Sequence, residues 1–225
     1  MSALEAGLVD TVPLLSAAEV FGHALQGETC YLTAPGLGPQ PLPVEDWTRA
    51  ADATDHALLA LCDGPTIDLG CGPGRLTAEL ANGAGQVALG IDISGEAVAQ
   101  TRRRGGFALR RNVFSRLPGE GRWHAALLAD GNIGIGGDPV ALLRRVRGLL
   151  GPGGRVVVEV AAPMVPATRV LARLECACAT SEPFPWAVLG LDDVADVAAA
   201  AGLVVTDRRP LGDGRWAAVL QEAAR

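Results

Sequence analysis

The chain has 225 residues, 49% of them hydrophobic and 20% charged, with a formal net charge of −6. That length suffices for one well-buried domain with a small addition, and the apolar content excludes an intrinsically disordered chain. The acidic balance withholds the basic footprint that nucleic-acid binding requires, and no run approaches the roughly 20 apolar residues of a membrane span.

In chain order, residues 1–45 precede the regular pattern and are expected to form a small N-terminal lid. Glu5, Asp10 and Glu19 leave no apolar centre like that of a secretory leader, so the protein is expected to be soluble and cytoplasmic. Ser16-Ala17-Ala18-Glu19 is a capping box that opens a helix running to Gln26, with Gly27 as its stop. Tyr31 to Pro43 holds too much proline and glycine for regular structure. Asp46 to Cys62 is expected to be one helix that leads into the first strand, with Trp47 near its start.

Strands and helices then alternate. Apolar runs near 65–69, 86–91, 107–112, 123–129 and 155–160 are continuous, as parallel strands buried on both faces require. Helical patterns at 74–82, 95–104 and from Asp138-Pro139 to Leu150 connect them, and Gly134 to Gly137 is expected to be a flexible turn. A last helix, 191–201, ends at Gly202. Two final strands, 203–207 and 215–220, are joined through Gly212-Asp213-Gly214, too short a link for anything but antiparallel neighbours. The pattern predicts an α/β fold: a Rossmann-like, seven-stranded, mostly parallel sheet with one antiparallel strand and helices on both faces. The main domain is expected over 46–225. Residues 161–190 break its rhythm with a helical piece at 167–178 and are expected to be a substrate-pocket insertion.

The chemistry concentrates at Asp68-Leu69-Gly70-Cys71-Gly72-Pro73-Gly74. A strand that turns at once into a helix aims backbone N–H groups and the positive helix end at one point. The spacing is G-x-G-x-G, not the G-x-G-x-x-G of dinucleotide sites, and Asp68 would repel a pyrophosphate there. A carboxylate suits a cationic ammonium end instead. Asp92 closes the second strand, placed to accept two ribose hydroxyls. The ligand implied is an adenosine with a zwitterionic amino-acid tail.

On these residues and on Gly90-Ile91-Asp92-Ile93-Ser94 the sequence resembles the class I S-adenosylmethionine-dependent methyltransferases, of the bacterial small-molecule type. The resemblance covers roughly residues 46 to 225. It implies S-adenosyl-L-methionine as cofactor and a small molecule, not a nucleic acid, as acceptor. It also implies cofactor contacts from Asp68, Gly70, Cys71, Gly72, Gly74, Asp92 and Ile93. Asn112, which stands where the family often carries an acid, would orient the adenine with Val113 and Phe114 beside it. Ala129, Asp130 and Gly131, at the end of the fourth strand, would face the reacting methyl. Tyr31, Trp47, Arg169 or Arg173, Phe184 and Trp186 are expected at the acceptor pocket. A general base is unassigned; His23, Tyr31 and Asp130 are candidates without a supporting motif. Two other roles stay open: a non-methylating reaction that uses the sulfonium, and a non-catalytic binding subunit. The chain is expected to be a monomer or a homodimer.

Five cysteines, at 30, 62, 71, 176 and 178, form no C-x-x-C pair and show no histidine spacing suited to zinc. They are expected to be free thiols with no metal site, as in a reducing compartment.

Overall fold

The structure, a computed structural model, describes residues 12–83 and 85–223; the stretch with Glu5 and Asp10 lies outside the described residues. Two sheets organise the described chain. The N-terminal part gives β1 (Leu14–Leu15), α1 (Ala17–Leu25), β2 (Cys30–Ala34), β3 (Leu37–Pro41), α2 (Val44–Thr48) and α3 (Ala53–Leu59). The capping box is present, with Ser16 and Glu19 each taking the other's backbone N–H.

Two expectations fail in this stretch. Tyr31 to Pro43 is a β-hairpin, not an irregular segment: Tyr31 pairs with Pro41 and Leu32 with Gln40. Its prolines are tolerated because β3 is an edge strand, where a missing N–H costs no ladder bond. The single helix expected over 46–62 is instead two. Arg49 is extended, and Asp52 starts α3 afresh with a capping box of its own to Asp55.

The main domain follows as β4 (Thr66–Leu69), α4 (Arg75–Asn82), β5 (Ala88–Asp92), α5 (Gly95–Arg103), β6 (Ala108–Arg110), β7 (Trp123–Leu128), α6 (Pro139–Arg147) and β8 (Leu150–Val160). After β9 (Thr168–Cys176), β10 (Thr180–Ser181) and β11 (Phe184–Val188), it closes with α7 (Val194–Ala200), β12 (Leu203–Gly212) and β13 (Arg215–Glu222). Among the described residues the large sheet has seven strands in the order β12-β13-β8-β7-β4-β5-β6. Only β13 runs against its direction, pairing antiparallel with both β8 and β12. The predicted sheet is therefore the observed one. Its strands bury both faces: Ala126, Leu128, Val156 and Val158 enter one core, while Ala125, Leu127 and Val157 enter the other.

The second sheet is the main surprise. Residues 167–178, expected to be helical, are strand β9, which pairs with β2 along one half and with β11 along the other. The N-terminal segment and the 161–190 insertion, expected as separate additions, thus build one cap sheet of β1, β10, β9, β2, β3 and β11. Val20 and Ala24 of α1, Cys30, Leu174 and Ala179 form its core. α1 also reaches the main domain, with Gln100 Nε2 donating to the Leu25 carbonyl at 2.8 Å and Gln26 Nε2 to Glu96 at 3.3 Å.

Candidate functional site

The sheet reverses its winding between β4 and β7, the point at which open α/β sheets leave a crevice beyond the strand ends. The turn from β4 into α4 forms one wall. Gly70, Gly72 and Gly74 have φ of +79°, +52° and +88°, conformations that L side chains rarely adopt. Their surroundings differ, however. A Cβ on Gly70 would meet the Asn132 amide at 2.7 Å and one on Gly74 would meet Thr101 at 2.6 Å, whereas nothing stands within 4 Å at Gly72. Packing inside the protein demands the outer two glycines; Gly72 alone has a bare face. The Cys71 side chain points inward among Val98 and Ala108, so its thiol is neutral, pushed well above its usual range by burial, and lines no crevice.

Asp92, at the end of β5, lies beside that bare face. Its two oxygens accept the backbone N–H groups of Gly72 at 2.9 Å and Ser94 at 2.8 Å. Burial raises its pKa, and those donors oppose the rise. A carboxylate has about four acceptor sites, so roughly two remain for other donors. Ile93 follows, half exposed. Asp68 is nearly inaccessible: the Thr77 hydroxyl donates to it at 2.6 Å, and burial pushes its carboxyl up to about 7. It sits under the turn instead of opening onto it.

Across the switch point, Asp130 and Gly131 both have positive φ. Asn132 Nδ2 then donates to the Gly70 carbonyl at 2.8 Å, tying the end of β7 to the glycine turn. Beneath them runs an ion-pair network that sequence patterns did not reveal. Arg75, the first residue of α4, chelates Asp130 with 2.7 Å bonds to both oxygens and pairs with Asp55 of α3. Arg215 of β13 pairs with Asp55 at 2.7 Å and with both oxygens of Glu159, at 2.7 and 2.8 Å. Arg49 reaches Asp55 at 2.6 Å. Burial opposes charge on Asp55, but the guanidiniums of Arg75 and Arg215 hold its carboxyl well below the usual range. Asp130 goes the other way, burial outweighing Arg75. Arg75 Nε is buried with no partner among the described residues.

The remaining predicted residues are scattered. Asn112 lies past the end of β6 with its Oδ1 already accepting the Phe114 N–H at 2.9 Å. Val113 is buried in the main core and Ala129 is buried behind the strand end, while Phe114 is half exposed against Gly136. The expected flexible turn at 134–137 belongs to a 3-10 segment, Asn132–Gly137, that lies flat beneath β11. Glycine is obligatory at Gly134, where a Cβ would stand 2.8 Å from the Trp186 indole and closer still to the Ala187 carbonyl. Trp186 stacks edge-on with Phe184 at 6.3 Å. Trp47 packs on Phe21 at 5.6 Å. Arg169 is engaged by Asp138 at 3.0 Å, and Arg173 donates to the Ser181 carbonyl. Tyr31 points away from the cap core, on the face of β2 opposite Cys30 and Leu32 and across from Glu175 and Pro41. His23 faces Cys178.

A family defined as a methyltransferase domain matches residues 67–154, which runs from β4 through α4, β5, β7 and the turn into β8. Over that stretch the chain is similar to a methyltransferase domain, and its fold is that of S-adenosylmethionine-dependent methyltransferases. No curated protein matches the sequence. Among solved structures, a SAM-dependent methyltransferase from Bacteroides fragilis in complex with S-adenosyl-L-homocysteine superimposes with a TM-score of 0.79 at 21% identity, over 94% of this chain and 98% of that one. The CcbJ methyltransferase from Streptomyces caelestis is similar at TM-score 0.59 and 18% identity, over 77% and 90% of the two chains. The Burkholderia thailandensis 1,6-didemethyltoxoflavin-N1-methyltransferase is similar at 0.57 and 21%, over 80% and 82%. The second and third cover less of this chain than the first does. No described helix is long and apolar enough to cross a membrane.

Proposed function

We propose that this methyltransferase moves a methyl group from S-adenosyl-L-methionine to a small-molecule acceptor in the crevice over Gly70 to Gly74. One observation carries this proposal: the bare face of Gly72 lies next to a carboxylate, Asp92, that still has acceptor capacity. A nucleoside sugar fits against such a pair, and the cradle is the one a Cβ at residue 72 would fill.

The bound cofactor supplies an activated methyl on a sulfonium. The chain holds two reactants in line, an arrangement worth roughly 7–11 kcal/mol of barrier in favourable cases. Asp92 accepts the two ribose hydroxyls, and Ile93 packs on the base. Asn112, its carbonyl spent on Phe114, offers its amide N–H groups to the adenine ring. Asp130 serves as a positioning residue for Arg75, which both of its oxygens bind. Phe184 and Trp186 on the cap line the acceptor side, and the toxoflavin-type substrate of one structural neighbour supports a small flat acceptor. Free thiols among the described cysteines support a reducing, cytoplasmic setting.

Calorimetry with S-adenosyl-L-methionine and S-adenosyl-L-homocysteine tests this assignment. Asp92→Ala is expected to weaken both by about 1–3 kcal/mol, the loss for hydrogen bonds to a charged group. An unchanged affinity moves the sugar elsewhere. Incubation with a panel of small amines, phenols, thiols and heterocycles, read by mass spectrometry for one added methyl, identifies the acceptor. Tight binding with no methylated product across that panel would instead favour the non-methylating alternative.

A further inference from the structure

The cap sheet brings a histidine against a pair of cysteines that lie far from it in the chain. His23 belongs to α1, Cys176 ends β9, and Cys178 stands in the turn to β10. Their donor atoms all lie within 4.8 Å of one another. Cys178 Sγ is 3.3 Å from His23 Nδ1 and 2.7 Å from Cys176 Sγ. None of the three is fully buried, so the group is open to solvent. A fourth thiol, Cys30, faces Cys176 directly across the β2–β9 pair and so projects from the same face.

We propose that His23, Cys176 and Cys178 bind a thiophilic divalent metal, with zinc as the natural occupant and Cys30 next in line to complete the tetrahedron. Two sulfurs and an imidazole nitrogen, with a third sulfur adjacent, are a zinc donor set with bonds of about 2.0–2.3 Å. The two cysteine sulfurs stand closer than a shared metal would hold them and farther apart than the ~2.05 Å of a disulfide. Rotation of the exposed Cys178 side chain opens the angle. A disulfide between residues separated by one position would strain the hairpin and leave His23 without a role.

The consequence is a clip. His23 and Cys178 are 155 positions apart, and closing so long a loop is where a metal gains most against the unfolded chain. It would fasten the N-terminal half of the cap to the inserted half. α1 also borders the start of α5, where a Cβ on Gly22 would come within 3.7 Å of Ser94 and Glu96, two to four residues past Asp92. Metal occupancy would therefore steady the edge of the crevice.

Cobalt(II) titration of the reduced, chelator-treated full chain tests the site. The expected result is one cobalt per chain with thiolate-to-cobalt charge-transfer absorption, displaced by zinc, and a zinc-dependent rise in thermal midpoint. Cys178→Ser and His23→Ala should each lower the affinity by at least the 10–100-fold seen when even an outer partner of a metal ligand is lost. Cys62→Ala, in a core of the main domain apart from the cap core, should leave the titration unchanged. Absence of the thiolate band, or a band that survives unaltered in Cys178→Ser, overturns the proposal. So does a reduced protein that takes up no cobalt yet forms a Cys176–Cys178 disulfide under mild peroxide, a two-dalton loss by mass spectrometry.

Discussion

A buried acid can organise a turn from beneath, and Asp68 does so through the Thr77 hydroxyl. Burial pushes its carboxyl up to about 7, the Thr77 hydroxyl opposes the rise, and the charges of Asp130 and Asp92 add to it. Folding therefore favours the protonated form. The stability this contributes is fully present below the unfolded carboxylate range and is lost as pH rises through about 7. Every pH unit that separates the folded from the unfolded titration is worth about 1.4 kcal/mol. Asp68→Asn keeps the shape and the bond to Thr77, so it should flatten the decline in thermal midpoint of the ligand-free protein between pH 4 and 7. A slope equal to that of the unsubstituted chain would show that Asp68 is charged throughout. At this scale the motif residues Gly70, Gly72, Gly74 and Asp92 were legible, because strand, turn and helix follow one another locally. Their division of labour was not. That Gly70 makes room for Asn132, or that the Asn112 oxygen is spent on Phe114, depends on neighbours the motif does not name.

Among elements, the Asp55 network is the joint between α3, α4 and β13. Asp55 is fully buried, with Arg75, Arg215 and Arg49 on its two oxygens. Removing one partner of a buried ion pair leaves the others desolvated and uncompensated, at a cost of about 3–5 kcal/mol. Asp55→Asn should cost that much in urea unfolding at neutral pH. Because its folded pKa is depressed, the contribution of Asp55 is present above the unfolded carboxylate range and fades as pH falls through the folded value, so the difference between the two proteins should shrink in acid. A constant difference across that range would mean that shape, not charge, holds the joint. Sequence patterns conceal this network for a plain reason: Arg75 and Arg215 stand 20 and 160 positions from Asp55. One local trace existed, a short polar Asp52–Asp55 stretch inside a region otherwise read as one amphipathic helix, and it is a capping box.

The described residues form a large sheet of methyltransferase-like fold and a second, smaller sheet, and the two differ in how far the sequence reveals them. The main sheet announces itself through continuous apolar runs. The cap does not, since Leu, Ala, Arg and Glu in 168–176 are strong helix formers and outweighed the period-2 alternation of Val170, Ala172, Leu174 and Cys176. Tertiary pairing with β2 and β11 decides the outcome. The cap core is small, its buried apolar members being Val20, Ala24, Cys30, Leu174 and Ala179, so it should open before the main sheet does. Leu174→Ala removes the largest buried aliphatic group of that core, a change that costs about 2–5 kcal/mol at a buried site. Hydrogen exchange of that variant should show amides of β2, β9 and α1 losing protection while β4, β7 and β8 keep theirs. Equal loss across both sheets would mean that cap and main domain unfold as one unit. The glycine platform at Asn132–Gly137, on which β11 rests, would then transmit the damage directly to the end of β7 and to the crevice.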